Sequence, residues 1–194
     1  MMKLNNQKFK NIKLKTSWSN QLRPFISRIR KDIFNIILNY FDFKNKIILD
    51  LFCGTGILGI ESLSLGAKFC FFNDKNYLNI RNLRINLQKL KIQNFKLYCF
   101  DFKKILNFFL KNNIVFNVIF LDPPFSQKSY SVFALNFLNN NFDYLSNLEV
   151  IIIRVDFLLD FNNFSILKSI FKIKIKKYSY YYIYILINKK YAKS

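Results

Sequence analysis

The segment 46–59, KIILDLFCGTGILG, constrains the fold more than any other stretch of the chain. An uninterrupted apolar run of strand length ends at Asp50, a turn containing Gly54 and Gly56 follows, and helical spacing resumes at Ile57. An apolar run with no polar alternation is the pattern of a strand buried on both faces, which belongs in a parallel sheet covered by helices. The same alternation continues. Strands are expected at 68–73, 96–99, 115–121 and 149–155, with helices at 57–65, 77–90, 102–110 and 130–138. Parallel strands need crossover connections, so consecutive β-α units imply a mostly parallel sheet with helices on both faces. Two β-rich segments, 170–176 and 180–187, close the chain. They lie close enough to form a hairpin, so the last of the seven strands should run antiparallel. Before this alternation, an amphipathic helix is expected over 27–40, with Ile29, Ile33, Ile36, Ile37 and Tyr40 on one side and Ser27 as its N-cap.

Composition narrows the chemistry. The chain of 194 residues has no histidine, which excludes a Ser-His-Asp triad, a Cys-His dyad and any His-ligated metal. Cys53, Cys70 and Cys99 are widely spaced with no CxxC pair, the pattern of reduced thiols and not of a zinc ribbon or disulfide framework. No metal site is expected. The formal charge of +20 is uneven: residues 1–46 hold 11 basic and 2 acidic residues, and residues 166–194 hold 8 basic residues and no acid. Basic ends of this kind are the electrostatic footprint of a polyanion such as nucleic acid. Codon bias inflates lysine more readily than arginine, yet Arg23, Arg28 and Arg30 cluster within eight residues. No apolar run approaches the ~18 residues of a membrane span. The start lacks the apolar core of a secretory signal, so a soluble cytoplasmic protein without membrane contact is expected.

Two motifs carry chemistry. In Asp50-Leu-Phe-Cys-Gly54-Thr-Gly56-Ile-Leu-Gly59, the glycines allow a tight turn and a close ligand approach. The helix that opens there offers N–H groups to an anionic ligand end. Read alone, Gly54-x-Gly56-x-x-Gly59 also matches a dinucleotide fingerprint. A carboxylate at the strand end suits a cationic amino group better than a pyrophosphate. The second motif, Asp122-Pro123-Pro124-Phe125, follows a buried strand directly. Its prolines stiffen a turn that presents Asp122 and the Pro123 carbonyl as paired acceptors, with Phe125 beside them: a clamp for the exocyclic amine of a stacked base.

Together these motifs resemble the class I S-adenosylmethionine-dependent methyltransferases that act on exocyclic amines through (N/D)PP(Y/F/W). Within that class the chain is most similar to the bacterial 16S rRNA guanine-N2 methyltransferase family, RsmD. LRPFISRIRKDIFNII (22–37) looks like that family's RPT-x-DRVRE-x-LFN segment, and 49–67 like its cofactor loop. DPPF (122–125) matches its catalytic motif, the basic stretch 3–15 its RNA-facing segment, and KKYSYYYIYI (176–185) its final strand. Phe25, Ser27 and Lys31 stand where the family has Thr, Asp and Glu, and Phe72-Asn73-Asp74 replaces its E-x-D.

The resemblance implies a Rossmann-like class I domain over 46–194, preceded by a basic RNA-facing segment over 1–45. It implies catalytic roles for Asp122, Pro123 and Phe125. S-adenosylmethionine would be held by Asp50, Phe52, Gly54 and Gly56, with Asp74 or Asn73 at the ribose, and Asp101 and Phe102 flanking the adenine. RNA would be met by Lys8, Lys10, Lys13, Arg23, Arg28 and Arg30. The implied activity is N2-methylation of a guanine in 16S rRNA, within a small-subunit assembly intermediate, by a monomer. Three alternatives remain. A DNA adenine-N6 or cytosine-N4 methylase uses the same clamp but needs a target-recognition insertion. A nicotinamide oxidoreductase is disfavoured by DPPF and the missing histidine acid. An inactive RNA-binding protein is disfavoured by the intact Asp50, Gly54, Gly56 and Asp122.

Overall fold

The computed structural model describes residues 23–141 and 146–192, with side chains in the first helix from Arg30 onward. In chain order its elements are α1 (Arg23–Leu38), β1 (Ile47–Asp50), α2 (Ile57–Ser64), β2 (Phe69–Asn73), α3 (Tyr77–Lys89), β3 (Phe95–Tyr98) and α4 (Phe102–Lys111). Then follow β4 (Val118–Leu121), α5 (Lys128–Asn140), β5 (Val150–Val155), a 3-10 turn (Phe161–Asn163), α6 (Ser165–Ile170), β6 (Phe171–Lys177) and β7 (Tyr182–Asn188). Each expected strand and long helix forms. The first helix opens at Arg23 instead of Ser27, because Pro24 fits a first helical turn whose N–H groups have no intrahelical acceptor. The six-residue α6 was not expected; it is too short to show helical periodicity.

One sheet of seven strands runs in the order β3-β2-β1-β4-β5-β7-β6. The strands β1 to β5 are parallel, while β7 lies antiparallel to both β5 and β6. The last strand is therefore antiparallel as expected, but it fills the slot between β5 and β6 and leaves β6 at the edge. From β1 the chain first builds outward to β2 and β3, then returns to place β4 on the other side of β1. That reversal opens a crevice at the carboxyl ends of β1 and β4, the place where open α/β sheets bind ligands.

Alternate strand residues feed two cores. Ile48, Phe72, Phe120 and Ile152 face α1, α2 and α3, whose Ile33, Phe34, Ile37, Ile60 and Leu83 are buried with them. Leu49, Ile119, Ile151 and Leu186 face α4, α5 and α6, against Ile105, Phe109, Leu135 and Leu167. The two cores cover one face each, which is why the central strands are apolar almost throughout, while the edge strands β3 (FKLY) and β6 (FKIKIKK) carry exposed lysines. The described residues just before 46 belong to the first core: beyond the α1 residues, Phe41 and Phe43 are buried in it too. Among the described residues, no helix is long and apolar enough to cross a membrane.

Gly59 shows how tightly α2 lies on the sheet. A methyl there would collide with the Phe72 ring and stand 2.6 Å from the Cys70 sulfur. In an ordinary helix Gly→Ala stabilises by up to about 1 kcal/mol. Here overpacking reverses the sign, and Gly59→Ala should destabilise the fold by about 1–3 kcal/mol in urea denaturation.

Candidate active site

A cavity of about 540 Å³ opens at the carboxyl ends of β1 and β4. Four loops build it, and each is positioned by a strand end.

The loop after β1 supplies the floor. Asp50, the last residue of β1, is 1% exposed, and its Oδ2 accepts the Gly59 N–H at 3.2 Å. Gly54 and Gly56 both adopt left-handed backbone, with φ of +50° and +73°. Their reasons differ. A Cβ on Gly54 would meet no protein atom within 4 Å, and Gly54 lines the cavity, so its missing side chain leaves ligand space. A Cβ on Gly56 would strike Leu83 of α3 instead, and Gly56 does not line the cavity. Its conformation turns the chain into α2 and lets α3 pack closely. The expected close ligand approach is therefore corrected at Gly56: bulk there would displace the Leu83 side chain, not a ligand.

The loop after β2 ties the floor to the wall. Asp74 accepts the Gly54 N–H at 2.8 Å, the Asn76 N–H at 2.8 Å and the Asn79 side-chain amide at 3.1 Å. Asn73 is 1% exposed, and its amide donates to the carbonyls of Leu51 and Phe100 while its oxygen accepts the Phe100 N–H. Its side chain is a strut between the loops after β1 and β3. Asp74, at the cavity wall and partly exposed, is the one of the pair with carboxylate oxygens directed to loop N–H groups beside ligand space.

After β3, Phe100 and Phe102 line the cavity. Asp101 between them does not; it caps α4 by accepting the Lys103 N–H at 2.9 Å, which corrects its expected place beside a ligand. Phe52 does line the cavity and joins an aromatic wall with Phe102 and Tyr130, with centroids 5.2 Å (Phe52–Phe102) and 4.6 Å (Phe102–Tyr130) apart. Tyr130 comes from α5, and nothing local in the sequence marks it.

The loop after β4 places Asp122, Pro123, Pro124 and Phe125 on the cavity rim. Asp122 is held by a residue that sequence reasoning missed. Arg154 Nε donates to Asp122 Oδ1 at 2.6 Å, and the same guanidinium lies 4.8 Å from the Phe125 ring centroid and 6.0 Å from that of Tyr181. Two residues of the clamp are thus fixed by one planar cation. The signal was available: Arg154 is the only charge inside VIIIRV, and β4–β5 pairing sets Leu121 beside Ile153, one residue before each partner.

Of the expected RNA contacts, Lys8, Lys10 and Lys13 lie outside the described residues, as do the side chains of Arg23 and Arg28. Arg30 is a correction. It is 2% exposed, and its Nε lies 3.8 Å from Glu61 Oε2, across the contact of α1 with α2. Burial lowers its pKa and the Glu61 charge opposes that shift. A side chain locked inside cannot reach a phosphate.

Three carboxylates, Asp50, Asp74 and Asp122, therefore line one cavity in a chain of strong net positive charge. Burial pushes the Asp50 carboxyl up to about 8; the Gly59 hydrogen bond opposes the shift, and the charges of Asp122 and Asp74 add to it. Burial likewise holds the Cys53 and Cys70 thiols well above their ordinary range, so neither is a thiolate nucleophile. The Asp50 shift has a stability consequence. An acid whose pKa is higher in the folded state than in the unfolded one favours folding while protonated. Its contribution is fully present below about pH 4 and is lost as pH rises toward 8. Urea denaturation across that window should show stability falling with a slope approaching about 1.4 kcal/mol per pH unit. Asp50→Asn, neutral throughout, should remove that slope.

Known proteins resemble this chain in sequence and in fold. The family described as Conserved hypothetical protein 95 matches residues 2–184. YlbH of Bacillus subtilis is 36% identical over 116 residues, covering 59% of this chain and 62% of its own length. Ribosomal RNA small subunit methyltransferase D of Buchnera aphidicola is 33% identical over 116 residues, covering 58% of each. The matched segment thus spans about three fifths of these curated relatives. Among solved structures, yhhF of Escherichia coli superposes with a TM-score of 0.76 at 20% identity, over 96% of this chain and 97% of that one. SMU.776, solved as a complex with SAH, superposes with a TM-score of 0.63 at 15% identity, over 92% of this chain and 52% of that one. The fold is that of the class I methyltransferases, and the chain belongs to the Conserved hypothetical protein 95 family, the RsmD family that its motifs resemble.

Proposed function

We propose that this chain is an S-adenosylmethionine-dependent methyltransferase acting on the exocyclic N2 of a guanine in small-subunit rRNA. The observation that carries the reading is Asp122, held by Arg154 at the rim of the same cavity whose floor is Asp50 and Gly54. A cationic ligand with a planar ring system fits the residues present: a carboxylate floor, a turn without a side chain at Gly54, and an aromatic wall. Asp50 would face the cationic amino group, Asp74 the ribose, and Phe52 and Phe102 the adenine. Bound S-adenosylmethionine supplies a methyl group activated by its sulfonium charge.

The remaining chemistry belongs to the protein. The N2 lone pair of guanine is delocalised into the ring, so the amine is a poor nucleophile. Asp122 Oδ2 and the Pro123 carbonyl would accept its two hydrogens and localise electron density on nitrogen. Arg154, engaged at Oδ1, fixes the direction of Oδ2. Phe125 would stack on a base drawn out of its helix into the cavity. Rate arises from positioning and fixed electrostatics, which is why no histidine is required. The ribosomal RNA methyltransferases among its relatives support an rRNA substrate; the clamp on an amine supports the N2 position. We further infer that the chain acts as a monomer on 16S rRNA in an assembling subunit.

Asp122→Ala should lower single-turnover methyl transfer by about 10²–10³ while leaving S-adenosylmethionine affinity unchanged in calorimetry. Asp122→Asn should lose less, since an amide oxygen still accepts. Phe125→Ala should weaken RNA binding by about 1–3 kcal/mol. Mass mapping of methylated guanosines, on naked rRNA and on subunit particles in parallel, checks the product and the preferred substrate. Transfer at the full rate by Asp122→Ala would eliminate the clamp mechanism.

A further inference from the structure

The β6–β7 hairpin ends at the same sheet edge as the cavity. Antiparallel pairing sets Arg154 beside Ile183 and Val155 beside Tyr182, so the tip rises next to the residue that holds Asp122. The tip is braced from both sides. Tyr178 and Tyr181 stack with centroids 4.5 Å apart at 11°, and the Tyr178 N–H donates to the Tyr181 carbonyl at 2.8 Å. The Tyr178 hydroxyl donates to Asp32 of α1 at 2.9 Å, and the Tyr181 ring lies 6.0 Å from the Arg154 guanidinium. Tyr178, Tyr181 and Arg154 thus form a chain of neighbours from the hairpin tip to the cavity rim.

On this rigid base stands Tyr180, 82% exposed, the most exposed large apolar side chain among the described residues. Lys176 and Lys177 beside it are exposed as well, and the chain from residue 166 to its end holds no acid. The exposed ring and the two exposed lysines that end β6 offer a stacking face and two phosphate contacts on one hairpin tip. A membrane surface is fitted less well. Interfacial binding needs an apolar face of several residues, and the tip offers one ring.

We propose that the hairpin tip, residues 176–180, is a docking finger for single-stranded RNA flanking the target base. Tyr180 stacks on a neighbouring base, Lys176 and Lys177 hold adjacent phosphates, and the braced stack sets the distance from that base to Asp122. This rests on the reading of the substrate as RNA. It also separates two roles for lysine on β6. Lysines on an edge strand guard against pairing with other chains, a role that needs no Tyr180.

The test uses the full chain and a labelled single-stranded RNA of about 12 nucleotides, within the site sizes known for such surfaces. Tyr180→Ala should weaken binding about fivefold or more, and Tyr180→Phe should retain it. The double variant Lys176→Gln/Lys177→Gln should reduce the slope of log affinity against log salt by roughly 0.7 per lysine. S-adenosylmethionine affinity should stay unchanged in all of them, which reports an intact fold and cavity. Unaltered RNA affinity and salt slope in these variants overturn the inference and leave the lysines as edge guards, with the proposed methyl transfer intact. So does a loss confined to binding of phosphatidylserine vesicles. If the unmodified chain binds S-adenosylmethionine but no RNA, the inference falls together with the substrate reading beneath it.

Discussion

Parallel pairing of β1 with β4 is the constraint on which the rest of the molecule depends. Only because β4 returns to the far side of β1 do two strand ends distant in sequence, Asp50 and Leu121, lie next to each other. Hydrogen-bonded strands are ~4.8 Å apart, so the residues just past their ends must share one crevice. The floor of the cavity and its rim are thus consequences of backbone hydrogen bonding before any side chain is considered. The helices on both faces keep that pairing in place, and their contact with the sheet is close enough that position 59 cannot carry a methyl group without displacement.

The electrostatics oppose the composition. A chain of net charge +20 brings three carboxylates together around this cavity, with Lys75 and Arg154 as the cations that share its lining. Burial raises the Asp50 carboxyl toward about 8, a shift that a cationic group bound beside it would offset, while Asp122 at the half-buried rim pairs with Arg154. Such a division suits a small cationic ligand inside and a polyanion outside. It also explains why Arg154 serves the site although the chain has only six arginines: a planar guanidinium can hold a carboxylate at one edge and cover a ring with its face, which an ammonium cannot.

Much of this was legible in the order of residues. Period and punctuation marked the strands, because a strand buried on both faces must be apolar at every position and its neighbours must be turns. The glycine turn and DPPF were visible as motifs because both chemistries need backbone where a side chain would intrude or flex. What the sequence determined by itself, then, is the succession of elements, the fold class, and the two loops at which chemistry is possible. Only the tertiary structure decided which side chains finish the site. Arg30 and Arg154 are both arginines next to apolar residues, yet one is sealed against Glu61 between two helices and the other is aimed at Asp122. Asn73 and Asp74 are adjacent and both line the cavity, yet Asn73 is buried as a brace between the loops after β1 and β3 while Asp74 is partly exposed and binds the Gly54 N–H. Tyr130 reaches the cavity from α5, and the Tyr181 ring approaches Arg154 from the β6–β7 hairpin, both far along the chain. The physical reason is one of range. Local sequence sets backbone conformation through hydrogen bonds and sterics within a few residues, whereas the partner of a buried charge or ring is chosen by strand order and register across the sheet.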